Sequence, residues 1–230
     1  MILVTFALPQ ESGEFRHAVR AAGGRLGGEE IRIAHLGVGP SAAAESIRGL
    51  LAGERPQALI CTGFGGGLDP RVRVGDLVIA DNFSSPPLRQ RAQALAGGKP
   101  HRFFGPLVTR NDPVETTEAK AALALETGGL AVDMETSTVA EACRAAGVPL
   151  LAVRAISDAS TTALPVPFAH WFDLERQRPR PLALVKYLAA HPSGIVPFAQ
   201  FVRGLAPARR ALADFLSRFL SQPMEVAPNA

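Results

Sequence analysis

The segment from Gly129 to Asp158, GLAVDMETSTVAEACRAAGVPLLAVRAISD, limits what this chain can fold into more than any other stretch. An apolar run, Leu130-Ala131-Val132, ends in two acids, Asp133 and Glu135, with Met134 between them. Thr136, Ser137 and Thr138 offer local caps, and Ala140, Ala142, Ala145 and Ala146 favour a helix. Gly147-Val148-Pro149 stops that helix. A second apolar run, Leu150 to Val153, then delivers Arg154 and, at its far end, Ser157 and Asp158. Strand, helix, strand, with carboxylates where the strands run out, is how an open α/β sheet builds a ligand site. Glu135 and Asp158 are therefore the first candidates for chemistry.

The rest of the chain repeats the alternation. Strands are expected at Met1–Ala7, Ile31–Leu36, Ala58–Cys61, Val72–Ala80 and Pro106–Val108, and helices at Ser12–Ala22, from a Ser41 cap onward, and at Thr116–Leu125. Such alternation predicts a largely parallel, doubly wound sheet. Asn82 to Lys99, marked by Pro86-Pro87 and Gly97-Gly98, reads as a surface excursion or a lid. Two helices, about Leu182–Ala190 and Val196–Leu220, close the chain. With 230 residues, 47% of them apolar, one α/β domain over residues 1–222 is expected, with a mixed, twisted central sheet flanked by helices. Residues 223–230 read as a disordered tail.

Composition excludes several classes. No run of 18 apolar residues occurs, so no membrane span is expected. The start, MILVTFALPQE, reads as a strand rather than a signal peptide. Cys61 and Cys143 have neither metal-ligand nor disulfide spacing and read as small core residues, so no metal is expected and a cytoplasmic address follows. Eight basic residues lie between Arg176 and Arg218 against the single acid Asp214. They form either a solvated face or an anion-facing one; aromatic residues are not interleaved as nucleic-acid binding requires. The apolar stripe Phe198, Phe201, Val202, Leu205, Leu212, Phe215, Leu216 and Phe219 either packs on the sheet or, with the basic residues, makes a weak membrane-surface contact.

Singly, the polar candidates stay open. Gly63-Phe64-Gly65-Gly66-Gly67 could bring backbone N–H groups to an anion or a sugar hydroxyl, or could be a tight turn. Glu135 could hold vicinal hydroxyls or satisfy a helix dipole. Asp158 could protonate a leaving group or cap a turn. Glu11 is equally ambiguous, and His170, beside Trp171 and Phe172, could reach a site from a lid.

Together, FALPQE (Phe6–Glu11), LGVGPSAAA (Leu36–Ala44), TGFGGGLDPRVRVGDLVIAD (Thr62–Asp81), AVDMETSTVAEAC (Ala131–Cys143) and VRAISD (Val153–Asp158) resemble the purine nucleoside phosphorylase and nucleosidase superfamily. The likeness is greatest to the methylthioadenosine/S-adenosylhomocysteine nucleosidases and covers about Met1 to Asp158, whereas the chain from Ala163 onward is more similar to hopanoid-associated phosphorylases. The resemblance implies that Glu11 positions the attacking water and that Asp158 protonates the purine, with Ser157 beside it. It further implies that Met134 packs on the ribose, that Glu135 binds its hydroxyls, and that Pro113 and Val114 touch the base. Phe64 stands where these nucleosidases usually have a serine, and Gly65 and Gly66 follow it in the substrate-binding set.

The activity so implied is cleavage of the N-ribosidic bond of a purine, adenine-type nucleoside by a homodimer without a cofactor. Water is the expected nucleophile, because Cys61 replaces the phosphorylases' arginine and Ala7–Glu11 replaces their Gly-Asp-Pro loop. The alternatives are phosphorolysis, with inorganic phosphate as co-substrate and a lipid-linked (hopanoid) adenosyl substrate, and a non-catalytic nucleoside-binding protein. Arg110, Arg154 and the amides of Gly65 to Gly67 are the groups that could serve a phosphate.

Overall fold

The computed structural model describes residues 1–95 and 100–222. The tail expectation, residues 223–230, lies outside the described residues, as does the end of the surface excursion. In order, the elements are β1 (Ile2–Phe6), α1 (Pro9–Ala21), β2 (Arg25–Leu26), β3 (Glu29–His35), α2 (Pro40–Gly53), β4 (Ala58–Gly67), β5 (Leu77–Ala80), α3 (Pro86–Ala94), β6 (Arg102–Gly105) and β7 (Leu107–Thr109). There follow α4 (Thr117–Thr127), β8 (Ala131–Asp133), α5 (Thr136–Ala146), β9 (Leu150–Asp158), a two-strand hairpin of β10 (Phe172–Asp173) and β11 (Arg178–Pro179), α6 (Pro181–Ala190) and α7 (Ile195–Leu220).

Among the described residues, nine strands form one sheet along the path β2-β3-β1-β4-β9-β5-β6, with β8 pairing β4 and β7 pairing β8. The centre is parallel: β1 runs with β3 and β4, and β4 runs with β9. The sheet is mixed because β5 runs antiparallel to β9 and β8 antiparallel to β4. All five residues of β1 are buried, as expected of a strand covered on both faces, whose sequence is apolar but for Thr5 rather than alternating. One face is covered by α1 and α7, which bring Phe15, Val19, Leu212, Phe215, Leu216 and Phe219 against Ile2, Val4, Ile60 and Val153. The other is covered by α2 and α5, with Ile47, Val139 and Cys143 against Leu3 and Leu59.

Several boundaries differ from the sequence reading, each for a local reason. The first helix begins at Pro9 rather than Ser12, since proline is well placed at a first helical position. The second is preceded by Gly39, at φ +88°, and not capped by Ser41. The expected strand Val72–Ala80 keeps only Leu77–Ala80, because Gly75 (φ +87°) and Asp76 turn the chain before it. The expected surface excursion contains α3, with Leu88 and Ala92 buried in the main core and the Arg91 guanidinium stacked 5.2 Å from the Phe219 ring centroid. A short apolar face spaced four residues apart was enough to fold what its prolines and polar residues suggested was a loop.

The largest difference concerns the glycine run. Gly63 to Gly67 is not a loop presenting free amides but the second half of the ten-residue strand β4, paired to β9 and β8. Strand pairing competes for the backbone groups that an anion cradle would need, and the Phe64 amide is taken by the protein's own Glu11. The β4–β9 register slips between Gly65, opposite Ile156, and Gly66, opposite Asp158, leaving Ser157 as a bulge. Bulges re-aim side chains beside functional sites, and this one turns the end of β9.

Candidate active site

Glu11 lies in the first turn of α1, buried, with both oxygens held by backbone N–H groups. Leu8 N donates to Oε2 at 2.8 Å and Phe64 N donates to Oε1 at 2.8 Å. Phe64 thus supplies a main-chain contact to the acid although its side chain cannot. Gly63 permits the approach: it sits at φ +149°, and a Cβ there would stand 2.9 Å from Glu11 Oε1.

Glu135 precedes α5, yet its side chain does not cap it. Asp133 does so, accepting from Thr136 N at 3.0 Å and from the Thr136 hydroxyl. This frees the Glu135 carboxylate to accept from Gly39 N at 2.8 Å, beside the cavity. Ser137 and Thr138 are not caps; Ser137 N instead donates to Thr109 Oγ1. Beneath these acids lies Arg154, 2% exposed, whose Nε donates to Asp133 Oδ2 at 2.8 Å and whose Nη2 reaches Thr136 Oγ1 and Cys61 Sγ. Glu135 Oε2 is 3.8 Å from the same guanidinium. Removing one partner of a buried pair costs about 3–5 kcal/mol, so Arg154 is a fixed part of the floor. Arg110 is paired instead with Glu126 on the surface.

Asp158 ends β9. Its Oδ1 accepts from Ser157 Oγ at 2.5 Å, and its Oδ2 accepts from the ammonium of Lys120, a residue with no solvent exposure. The sequence reading passed over Lys120. Its signal was positional: Lys120 shares the buried face of α4 with Leu123, while Glu118 and Glu126 face solvent.

Glu11, Glu135 and Asp158 open on one cavity of about 360 Å³, within the range of small-molecule sites. Glu11, Phe64, Gly65, Gly66, Pro113, Val114, Met134, Glu135, Ser157 and Asp158 all line it, so the structure brings every sequence-predicted site residue together. The sequence reading missed the opposite wall. It is built by Leu164, Phe168, Trp171 and Phe172 from the segment after β9 and by Phe198, Phe201, Val202 and Leu205 from α7. His170 is not part of it; its ring packs at a tilt against Tyr187 with centroids 4.4 Å apart. Among the described residues no group of three or more His, Cys, Asp or Glu could hold a metal ion.

Burial raises Glu11 above the ordinary carboxylate value against the opposing N–H groups of Leu8 and Phe64. Burial, then the charge of Asp133, pushes Glu135 from 4.5 up to about 8 despite Arg154. A raised folded-state value means that the folded protein holds the proton more tightly than the unfolded chain. Glu135 therefore stabilises the fold at low pH and loses that contribution as pH rises from 4.5 through about 8. Denaturant titrations of the ligand-free protein across this window should show a fall in stability that Glu135→Gln flattens. An unchanged slope in the variant would mean that Glu135 is ionised throughout.

The family model described as "Phosphorylase superfamily" matches residues 7–86 and 81–185. The chain belongs to the phosphorylase superfamily. Within it, a 5'-methylthioadenosine/S-adenosylhomocysteine nucleosidase of Haemophilus influenzae (strain 86-028NP) is 27% identical over 188 residues, covering 70% of this chain and 82% of that protein. The protein of the same name from Actinobacillus succinogenes is 29% identical over 163 residues, covering 59% and 71%. Two solved structures show the shared fold. The nucleosidase from S. pneumoniae with the transition-state inhibitor MT-ImmA superposes at a TM-score of 0.70, with 21% identity over 96% of this chain and 98% of that one. Futalosine hydrolase of Helicobacter pylori strain 26695 gives 0.68, with 19% identity over 95% and 96%. The superfamily match ends at residue 185, before α7, so one part of the cavity wall of this phosphorylase-superfamily chain is built outside the matched region.

Proposed function

We propose that the protein hydrolyses the N-ribosidic bond of a purine nucleoside carrying an apolar 5' substituent. The observation that carries this reading is the convergence of Glu11, Glu135 and Asp158 on one cavity whose opposite wall is apolar. Breaking the bond to the base leaves a sugar with cationic character and a base that departs more readily once protonated. In this reading Asp158 delivers a proton to the purine as the bond's electron pair moves onto the base. Glu135 accepts hydrogen bonds from the ribose hydroxyls, and Met134 packs on the ring. Glu11 takes a proton from water whose oxygen bonds to the anomeric carbon. The acids of the floor favour the developing positive charge.

Water is favoured over phosphate because a phosphate dianion needs free cations or free N–H groups. Arg154 is committed to Asp133, and the Gly65–Gly67 backbone is committed to strand pairing. The one arginine among the described lining residues is Arg209 on α7. The names of the sequence relatives support the same class. Phosphorolysis of a lipid-linked adenosyl substrate draws on the apolar wall too, and one experiment separates the two readings. Methylthioadenosine is incubated with and without inorganic phosphate, and the sugar product is identified. The free sugar at equal rates in both supports hydrolysis; a sugar 1-phosphate formed only with phosphate overturns it. No release of base from any nucleoside tested would favour a binding protein.

A further inference from the structure

Lys120 is fully buried, yet neither the ribose-side acids nor the water-activating one touches it. A lysine loses water and rotamer freedom when buried, so its three donors must be satisfied within the protein. They are: Nζ donates to Asp158 Oδ2, to Ala159 O at 3.0 Å and to Thr162 O at 2.6 Å. An ammonium offers no acceptor, so a proton on Oδ2 would set donor against donor. The other oxygen has no such conflict. Oδ1 is 2.5 Å from Ser157 Oγ, and that hydroxyl also reaches Gly65 O at 3.2 Å. A protonated Oδ1 can donate to Ser157, which then donates to Gly65. An ionised Oδ1 accepts from Ser157 instead.

We infer that Lys120 is a positioning residue for base departure: it fixes the transferable proton on Asp158 Oδ1 and faces the carboxylate that remains. This rests on the reading of Asp158 as the proton donor. In the step, the bond from Oδ1 to hydrogen breaks as a purine N–H bond forms, and the electron pair of the ribosidic bond goes to the base. Asp158 is left as an anion, and Lys120 already stands against it. The ammonium acts through Asp158 and meets no substrate atom. Its presence on α4, directly after the cavity-lining Pro113 and Val114, ties the base-facing segment to the acid.

The test uses two leaving groups. A purine needs protonation to depart, whereas para-nitrophenolate leaves unaided, so methylthioadenosine and para-nitrophenyl riboside report the presence and absence of demand for the acid. Lys120→Met should lower turnover of methylthioadenosine by about 10²-fold while leaving para-nitrophenyl riboside within a few-fold of the parent. Because a group that acts only through Asp158 has nothing left to act on once the acid is gone, Lys120→Met should add no further loss in an Asp158→Asn background. That double variant holds neither buried charge, which is a better-tolerated state than one charge alone, so the comparison survives if Lys120→Met does not fold. Equal losses on both substrates, or an additive loss in the double variant, would make Lys120 a structural brace and overturn the inference. Asp158→Asn measured alongside separates the two failures. If that variant also slows both substrates equally, the proton-donor reading falls, and this inference with it.

Discussion

Asp158→Asn should lower turnover of a purine nucleoside by about 10²–10⁴-fold, the usual contribution of a positioned acid. In free energy this is about 3–5 kcal/mol of the barrier. The fold should survive, because asparagine can keep the local bonds. Its carbonyl can take the place of Oδ2 toward Lys120, and its NH2 can donate to Ser157 Oγ, which still reaches Gly65 O. The substitution does leave the Lys120 ammonium without its anion, so the melting temperature should fall. Turnover must therefore be measured well below that temperature, with circular dichroism as the check on folding. Near-native turnover in a folded Asp158→Asn protein would remove Asp158 from the mechanism.

Glu11→Gln is expected to lose turnover on the same scale, about 10²–10⁴-fold, because it removes the base that would take a proton from water. Two effects on stability oppose one another. Removing a carboxyl that burial has already pushed upward relieves its desolvation. Glutamine, however, has one acceptor oxygen where Leu8 N–H and Phe64 N–H each need one, so its NH2 group must face a donor. An unsatisfied buried N–H costs about 1–3 kcal/mol, and the desolvation relief offsets part of that. Stability should thus change modestly while turnover collapses. Parallel denaturant titration and initial-rate measurements check both halves, and a folded variant that still turns over at the parental rate would assign water activation elsewhere.

The α/β layout and the predicted site residues were legible because each was announced by a local pattern. Leu130 to Val132 and Leu150 to Val153 are apolar runs that lead into acids, and the sheet sets both ends on the same cavity. What could not be read depended on partners far away in the chain. Gly63 to Gly67 looks like a turn until β8 and β9 are present to pair with it. Glu11 was found by resemblance, but its orientation depends on the amide of Phe64, 53 positions away. Lys120 was invisible because a lone lysine among alanines suggests solvent, and only the fold sets Asp158 against it. The aromatic wall was not legible because Trp171 and Phe172 gain their meaning only beside α7.

That last helix does two jobs on one rod. Its first half presents Phe198, Phe201, Val202 and Leu205 to the cavity, and its second half, from Ala208 to Leu220, is buried against β1, β4, β9 and α1. On a ribosome the acids of β8 and β9 and the first helix all emerge before α7 is made. Until then Phe15 and Val19 lack Phe215 and Phe219, the α7 members of their core cluster, and the site lacks the α7 part of its apolar wall. Core closure and pocket completion are therefore a single late event in synthesis. A nascent chain that has already assembled its acids has yet to gain either the stability to persist or the enclosure that would let those acids act.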